Sequence, residues 1–151
     1  MGIEKNTYYL LDVLRGRWEY PDLLRSVKAN ADRQRVSTVL IEDANSGAAL
    51  IQSLRQESRL NVVAVKVTLD KMTRAAQQSA AIEAGRILLP QEAPWLAELE
   101  RELLAFPNGR HDDQVDSMVQ FLYWAGERAR YQVPIVAPII VKIARSPEWS
   151  W

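Results

Sequence analysis

The run STVLIED, from Ser37 to Asp43, decides the fold. It is a short apolar segment ended by two acids, Glu42 and Asp43, as expected of a central strand that is buried on both faces. Its acidic end is the exception to that burial. We therefore place this run at the centre of a sheet, with its last two residues at the sheet's carboxyl edge.

The residues that follow predict a parallel crossover. Asn45 to Gly47 form a turn that can cap a helix. That helix carries three apolar residues at helical spacing, Leu50, Ile51 and Leu54. The run NVVAVKV, from Asn61 to Val67, then predicts another strand. Strand, helix and strand at this spacing make a parallel unit, and sites in such sheets gather at the carboxyl ends of the strands, where Lys66 joins the two acids.

A second polar stretch, HDDQVDS from His111 to Ser117, opens an amphipathic helix expected over 112–130. The apolar arc of that helix contains Val115, Met118, Val119, Leu122, Ala125 and Ala129. A single acid there has an ordinary role as a cap, which stabilises a helix start by ~0.5–2 kcal/mol. This stretch has three carboxylates in five positions, and like charges repel unless a cation offsets them. We therefore predict that it meets Glu42 or Asp43 in the fold and that the two acidic groups hold a divalent metal.

The residues alone leave the individual ligands open. On a helix of about 3.6 residues per turn, Asp112 and Asp116 lie near the edge of the apolar arc, and Asp113 lies further round. Successive side chains of a strand alternate faces, so only one of Glu42 and Asp43 can point at a given site. His111 fits a surface loop better than a general acid or base.

Composition limits the chemistry. The 151 residues fit one domain, and nineteen basic residues cancel nineteen acidic ones, so nucleic acid could bind only a local patch. The chain has no cysteine, so a metal would take oxygen ligands, which favours magnesium or manganese. No apolar run approaches the ~20 residues of a membrane span, and the chain start lacks the pattern of a secretory signal, so we expect a cytoplasmic protein.

Other segments complete an α/β pattern. We expect a strand over 7–14, an amphipathic helix from Pro21, a helix over 71–84 that Gly85 ends, and a helix from Pro94. The tail over 134–151 is apolar, and its prolines confine any strand there to a sheet edge. Four cations could contact phosphates, although each is more often a solvated charge: Lys66, Lys71, Arg74 and Arg110.

Four motifs in order resemble the C-terminal nuclease domain of tailed-phage terminase large subunits. They are YYLLDVLRGRWEYPDL, VLIEDANSGAALIQSL, EAGRILLP and LLAFPNGRHDDQVDSM, and the resemblance covers residues 8–128. Members of that family have a ribonuclease H-like fold, a mixed sheet flanked by helices, and they cut concatemeric viral DNA with two metal ions during genome packaging. The resemblance implies the same fold, a two-ion site for Mg²⁺ or Mn²⁺, and double-stranded DNA as the substrate.

The resemblance also assigns residues. Glu42 matches the acid that follows the family's central strand. Asp113 best matches the metal ligand of the last helix, with Asp112 and Asp116 as close competitors. The family pattern is given more weight than the helical wheel here, because wheel angles are least reliable in the first turn of a helix.

One departure from the family pattern matters. The family's first catalytic aspartate lies on an opening strand upstream of the motif that begins at Tyr8, and Asp12 is not its equivalent. We therefore expect an N-terminally truncated nuclease domain over 1–131, a tail over 132–151, and weak or absent cleavage. A missing strand exposes a sheet edge, and either the tail around Ile139 to Ile143 or a second copy of the chain is expected to cover it.

The leading interpretation is a metal-dependent endonuclease that acts in the bacterial host cytoplasm. Portal or capsid proteins are candidate further partners. A rival is a non-catalytic prophage remnant that keeps the fold and docks on DNA or capsid proteins. Another is a junction resolvase or transposase of related fold, which would prefer branched DNA or specific ends. Plasmid cleavage that requires Glu42 and Asp113 would support the first interpretation.

Overall fold

A computed structural model describes residues 1–5, 7–44, 46–66, 73, 76, 78, 81–106, 113–130 and 138–141. The strands are β1 (Gly2–Glu4), β2 (Thr7–Tyr9), β3 (Thr38–Glu42), β4 (Asn61–Val65), β5 (Ile87–Leu88) and β6 (Pro138–Val141). The helices are α1 (Tyr20–Gln34), α2 (Ser46–Glu57), α3 (Leu96–Ala105) and α4 (Asp113–Arg130). The predicted α/β class is therefore confirmed.

The strands form two small sheets. In the first, β2 pairs antiparallel with β1 and parallel with β5. In the second, β3 is central and pairs parallel with both β4 and β6. The crossover from β3 through α2 to β4 is the parallel unit that the sequence predicted.

The central strand is buried on both faces, as predicted, and each face has its own apolar core. Val39 and Ile41 belong to a cluster with residues of α1 and α2, among them Leu23, Val27, Leu50 and Leu54. Leu40 belongs to a second cluster with Tyr8 and four residues of α4, namely Met118, Phe121, Leu122 and Ala125. Side chains alternate along a strand, so β3 separates the α1 and α2 layer from α4.

Helix α1 follows from its sequence. Pro21 occupies the first turn, where its missing N–H costs no hydrogen bond, and Leu23, Val27 and Ala31 are buried at helical spacing. Arg35 ends the helix in the left-handed conformation, with φ of 49°. Similarly, Gly85 has φ of 64° after the helical residues 81–83, in agreement with the predicted helix end; half of the predicted helix over 71–84 lies outside the described residues.

The strand predicted over 7–14 is shorter than expected. It ends at Tyr9, because its neighbour β5 has only two residues before Pro90 interrupts the extended segment. Leu10 still donates a backbone hydrogen bond to the Leu88 carbonyl (2.9 Å), but Leu11 and Leu14 are exposed. The apolar pattern predicts a longer strand, but among the described residues no strand pairs with residues 11–14.

The tail contributes an edge strand. Residues 138–141 form β6 beside β3, with Pro138 at its first position, where a strand tolerates proline. Residues 139–141 therefore lie along β3, and residues 142 and 143 lie outside the described part of the chain. That the tail covers the edge left by a missing strand stays a prediction. Among the described helices, none has the length and apolar character needed to cross a bilayer.

Candidate metal-binding site

Glu42 is the last residue of β3, and its side chain is half-buried. Leu40, two positions earlier, packs in the α4 core, so alternation places Glu42 on the same face of the sheet. The register supports this placement, because Val65 pairs with Glu42 and also packs against the α4 core. Asp43 is exposed and follows on the alternate position. The structure thus favours Glu42 over Asp43 as the acid that faces α4.

The backbone at Glu42 is held from two sides. The Asp43 amide donates to the Val65 carbonyl at 2.9 Å, which extends the β3–β4 ladder past the end of the strand. On the other side, α2 begins so close that a Cβ added at Gly47 would lie 2.0 Å from the Glu42 carbonyl oxygen. Only glycine permits this approach. The carboxyl end of β3 is therefore fixed by a sheet neighbour and by a helix start.

The first turn of α4 carries the second acidic group. Asp113 is half-buried and Asp116 is buried, with 4% of its surface exposed. His111 and Asp112, which the sequence analysis also selected, lie outside the described residues. The structure thus describes two of the three predicted acids and places both in one helical turn.

Phe121 changes the helical-wheel argument. It is fully buried in the core that contains Leu40, and the sequence analysis did not include it in the apolar arc. With Phe121 included, Asp116 lies roughly 170° around α4 from the middle of the arc that meets the sheet, and Asp113 roughly 130°. Both acids therefore project away from the middle of the arc, and Asp113 lies roughly 40° nearer than Asp116 to the face that carries Glu42.

Glu102 is a functional candidate that the sequence analysis missed. It lies in α3, has only 6% of its surface exposed, and accepts hydrogen bonds from the start of α4. Its Oε1 accepts from the Gln114 and Val115 amides at 2.6 and 3.0 Å, and its Oε2 accepts from Gln114 Nε2 at 2.8 Å. One signal could have found it: Glu102 falls three residues after Leu99, on the apolar side of its helix.

Gln120 is a second missed residue. Its side chain lies one turn after Asp116 with 3% exposure, and neither its Oε1 nor its Nε2 has a hydrogen-bond partner. A buried polar group without a partner costs about 1–3 kcal/mol. A polar strip that includes Asp116 and Gln120 therefore runs along the side of α4 away from Leu40.

The donor set suits a hard divalent cation. The acids of β3 and α4 offer carboxylate oxygens, which magnesium and manganese prefer, and magnesium needs only one or two protein carboxylates. Within the described ranges, no group of three His, Asp or Glu side chains is close enough to hold a metal ion. His111 and Asp112 lie outside those ranges.

One of the four predicted phosphate-contacting cations is described. Lys66 is exposed and follows β4 directly, at the same sheet edge as Glu42 and Asp43. Lys71, Arg74 and Arg110 lie outside the described residues. The structure therefore places one cation beside the acidic end of β3.

Comparison with known families assigns the chain. The family described as the terminase RNaseH-like domain matches residues 1–123, which is most of the chain. This chain belongs to that family. The resemblance seen in the sequence motifs is confirmed, and the α/β fold is that of a ribonuclease H-like domain. No curated protein and no solved structure was found to match the chain.

The terminase RNaseH-like match contains the acids of β3 and of the first turn of α4, whereas β6 lies beyond it. The domain is thus a terminase nuclease-type module. Asp12 does not join the acidic set, because it lies after β2 and its carboxylate accepts from Arg33 of α1. That Asp12 is not the family's first catalytic aspartate stays a prediction.

Proposed function

We propose that this terminase domain is a divalent-metal-dependent endonuclease that cuts concatemeric viral DNA during genome packaging. One observation carries the proposal. Glu42 ends the central strand on the sheet face that packs against α4, and the first turn of α4 bears Asp113. The two acidic groups therefore belong to elements that share one interface.

The chain path supports their convergence. β6 starts beside Thr38, at the amino end of β3, and only residues 131–137 separate it from α4. A helix that leads through a short connection into a parallel strand runs antiparallel to that strand. α4 would then begin at the carboxyl end of β3, where Glu42 lies.

We assign Glu42 and Asp113 as the principal metal ligands, with Asp112 and Asp116 in support. Asp116 has the weakest case of the four, because it lies on the side of α4 away from the sheet. Bound Mg²⁺ or Mn²⁺ ions would activate a water molecule and stabilise the leaving oxygen of the phosphodiester. The chain's own part is to hold the carboxylates in place and to seat the DNA backbone.

Double-stranded DNA is the proposed substrate, and its recognition would depend on a local patch because the formal net charge is zero. Lys66 would contact a phosphate beside the acids, and Lys71, Arg74 and Arg110 would extend the patch. Contacts to the backbone carry no sequence information, so cleavage should show little sequence preference. Portal or capsid proteins would be further partners, in the cytoplasm of the bacterial host.

A plasmid-cleavage assay with Mn²⁺ or Mg²⁺ tests the proposal through a matched pair of neighbours. We expect weak cleavage by the wild-type chain. Glu42→Gln should lower that rate by more than about 100-fold, which exceeds the effect of removing an outer-shell partner of a metal. Asp43→Asn removes a carboxylate at the next position, and it should change the rate less than about 3-fold because Asp43 does not face α4. Asp113→Asn should behave like Glu42→Gln.

Three outcomes would count against the proposal. Cleavage that survives both Glu42→Gln and Asp113→Asn would show that other residues or a contaminant cut the plasmid. No cleavage and no Mn²⁺ binding by the wild-type chain would instead favour a non-catalytic module that docks on DNA. A strong preference for branched DNA would favour a junction resolvase of related fold.

A further inference from the structure

Glu102 occupies an unusual environment for a carboxylate. It lies in the penultimate turn of α3, and 6% of its surface is exposed, whereas Glu98 and Glu100 of the same helix are exposed. Glutamate is almost never fully buried unless it has partners. The reason for its burial should therefore lie in the groups that it contacts.

Those groups are the free amides of another helix. Gln114 and Val115 are the second and third residues of α4, and their N–H groups have no carbonyl acceptor within the helix. Glu102 Oε1 accepts from both amides, at 2.6 and 3.0 Å. Glu102 Oε2 accepts from the Gln114 side chain at 2.8 Å. Three hydrogen bonds that one carboxylate accepts thus attach α4 to α3.

The two backbone amides that bond Glu102 lie between the two described acids of the candidate site. Asp113 immediately precedes the bonded amides, and Asp116 immediately follows them. A carboxylate that binds two successive amides fixes both the position of the helix end and its rotation about its axis. These two quantities decide where the Asp113 carboxylate lies relative to Glu42.

We propose that Glu102 is a positioning residue that sets the first turn of α4 for metal binding. The inference rests on the proposed metal site. Glu102 acts through the amides that lie between the two acids: its Oε1 accepts from both backbone amides and its Oε2 from Gln114 Nε2, so the carboxylate is directed at α4. Outer-shell groups of this kind change metal affinity about 10- to 100-fold when they are removed.

The test compares Mn²⁺ affinity, measured by calorimetry, in the wild-type chain and in Glu102→Ala, Glu102→Gln and Glu100→Gln. Glu102→Ala should weaken Mn²⁺ binding by about 10- to 100-fold. Glu102→Gln keeps one oxygen for the two backbone amides and loses the acceptor for Gln114 Nε2, so its affinity should be intermediate. Glu100→Gln removes an exposed charge from the same helix and should bind Mn²⁺ as the wild type does.

A destabilised variant separates positioning from a general loss of stability. Leu99→Val alters the fully buried neighbour of Glu102 in α3 without touching the hydrogen bonds to α4. It should keep its Mn²⁺ affinity at temperatures where it is folded. In parallel, hydrogen exchange at the Gln114 and Val115 amides should accelerate in Glu102→Ala and remain slow in Leu99→Val. If Glu102→Ala does not fold, the same comparison is made with Glu102→Gln.

The outcomes distinguish this inference from the proposed function. If the wild type binds Mn²⁺ and both Glu102→Gln and Glu102→Ala bind it with the affinity of the wild type, the positioning role is overturned and the proposed metal site stands. An equal loss of affinity in Leu99→Val would also overturn it, since stability alone would then explain the effect. A wild-type chain that binds no Mn²⁺ would overturn both proposals.

Discussion

The two faces of β3 pack against different helices and differ in what they contribute to the protein. Towards α1 and α2, Val39 and Ile41 are fully buried in an apolar cluster. Towards α4, Leu40 is equally buried, but the same face continues to Glu42, and the helix opposite begins with Asp113. The first face only stabilises the fold. We propose that the second also brings an acidic strand end towards an acidic helix start.

The largest effects on stability should come from truncating one buried side chain on each face of β3. Leu40→Ala and Ile41→Ala each remove a fully buried side chain, and each should lower the free energy of unfolding by about 2–5 kcal/mol. Only Leu40→Ala should also weaken Mn²⁺ binding, because Leu40 packs against the helix that carries Asp113. Denaturant unfolding and calorimetry at a temperature where both variants are folded would measure the two quantities.

Equal Mn²⁺ affinities in these two variants would break the proposed division between the faces. A loss of affinity in Ile41→Ala alone would reverse it and would indicate that the α2 side positions Glu42.

A smaller effect is expected where α2 meets the end of β3. Gly47→Ala should destabilise the protein by about 1–3 kcal/mol, because its Cβ would meet the Glu42 carbonyl and something must shift. Gly126→Ala is the matched control, since nothing lies within 4 Å of a Cβ at that position in α4. It should be neutral or stabilising by up to about 1 kcal/mol, as alanine is the better helix former.

The same pair also reports on the site. The shift caused by Gly47→Ala falls on the backbone of Glu42, so cleavage should decrease in that variant and stay unchanged in Gly126→Ala. Unaltered stability and cleavage in Gly47→Ala would show that α2 does not hold the end of β3.

The smallest effect concerns a single exposed cation. Lys66→Ala should weaken DNA binding about equally for all sequences and reduce the slope of log affinity against log salt by about one. Lys28→Ala is the control, because Lys28 lies on α1, on the other side of β3, and pairs with Glu57 of α2 at 2.7 Å. Binding titrations at several salt concentrations would give both slopes. An unchanged slope in Lys66→Ala would remove this residue from the DNA patch.

Local patterns in the sequence predicted much of the fold. The apolar run before Glu42 identified β3, and helical spacing identified α1, α2 and α4, because each of these signals lies within one segment. The pairing of β6 with β3 depends on residues about a hundred positions apart, and the sequence indicated only an edge strand. The end of β2 depends on the length of its neighbour β5, and the residues of β2 do not encode that length.

The candidate site was predictable to the same extent. Strand alternation showed that only one of Glu42 and Asp43 could serve, but the choice required knowledge of which helix covers each face. Phe121 was missed because the sequence pattern placed the apolar arc of α4 too far round. Glu102 was missed because its partners belong to a different helix, and a carboxylate in a helix is usually a solvated charge.

The most direct test of the central claim is the anomalous density of manganese in crystals of the wild-type chain soaked in MnCl₂. The account predicts a peak about 2.0–2.3 Å from carboxylate oxygens of both Glu42 and an acid in the first turn of α4, with Asp113 the expected partner. Density bound to only one of the two groups, or a Glu42 carboxylate too far from α4 to share an ion, would contradict it.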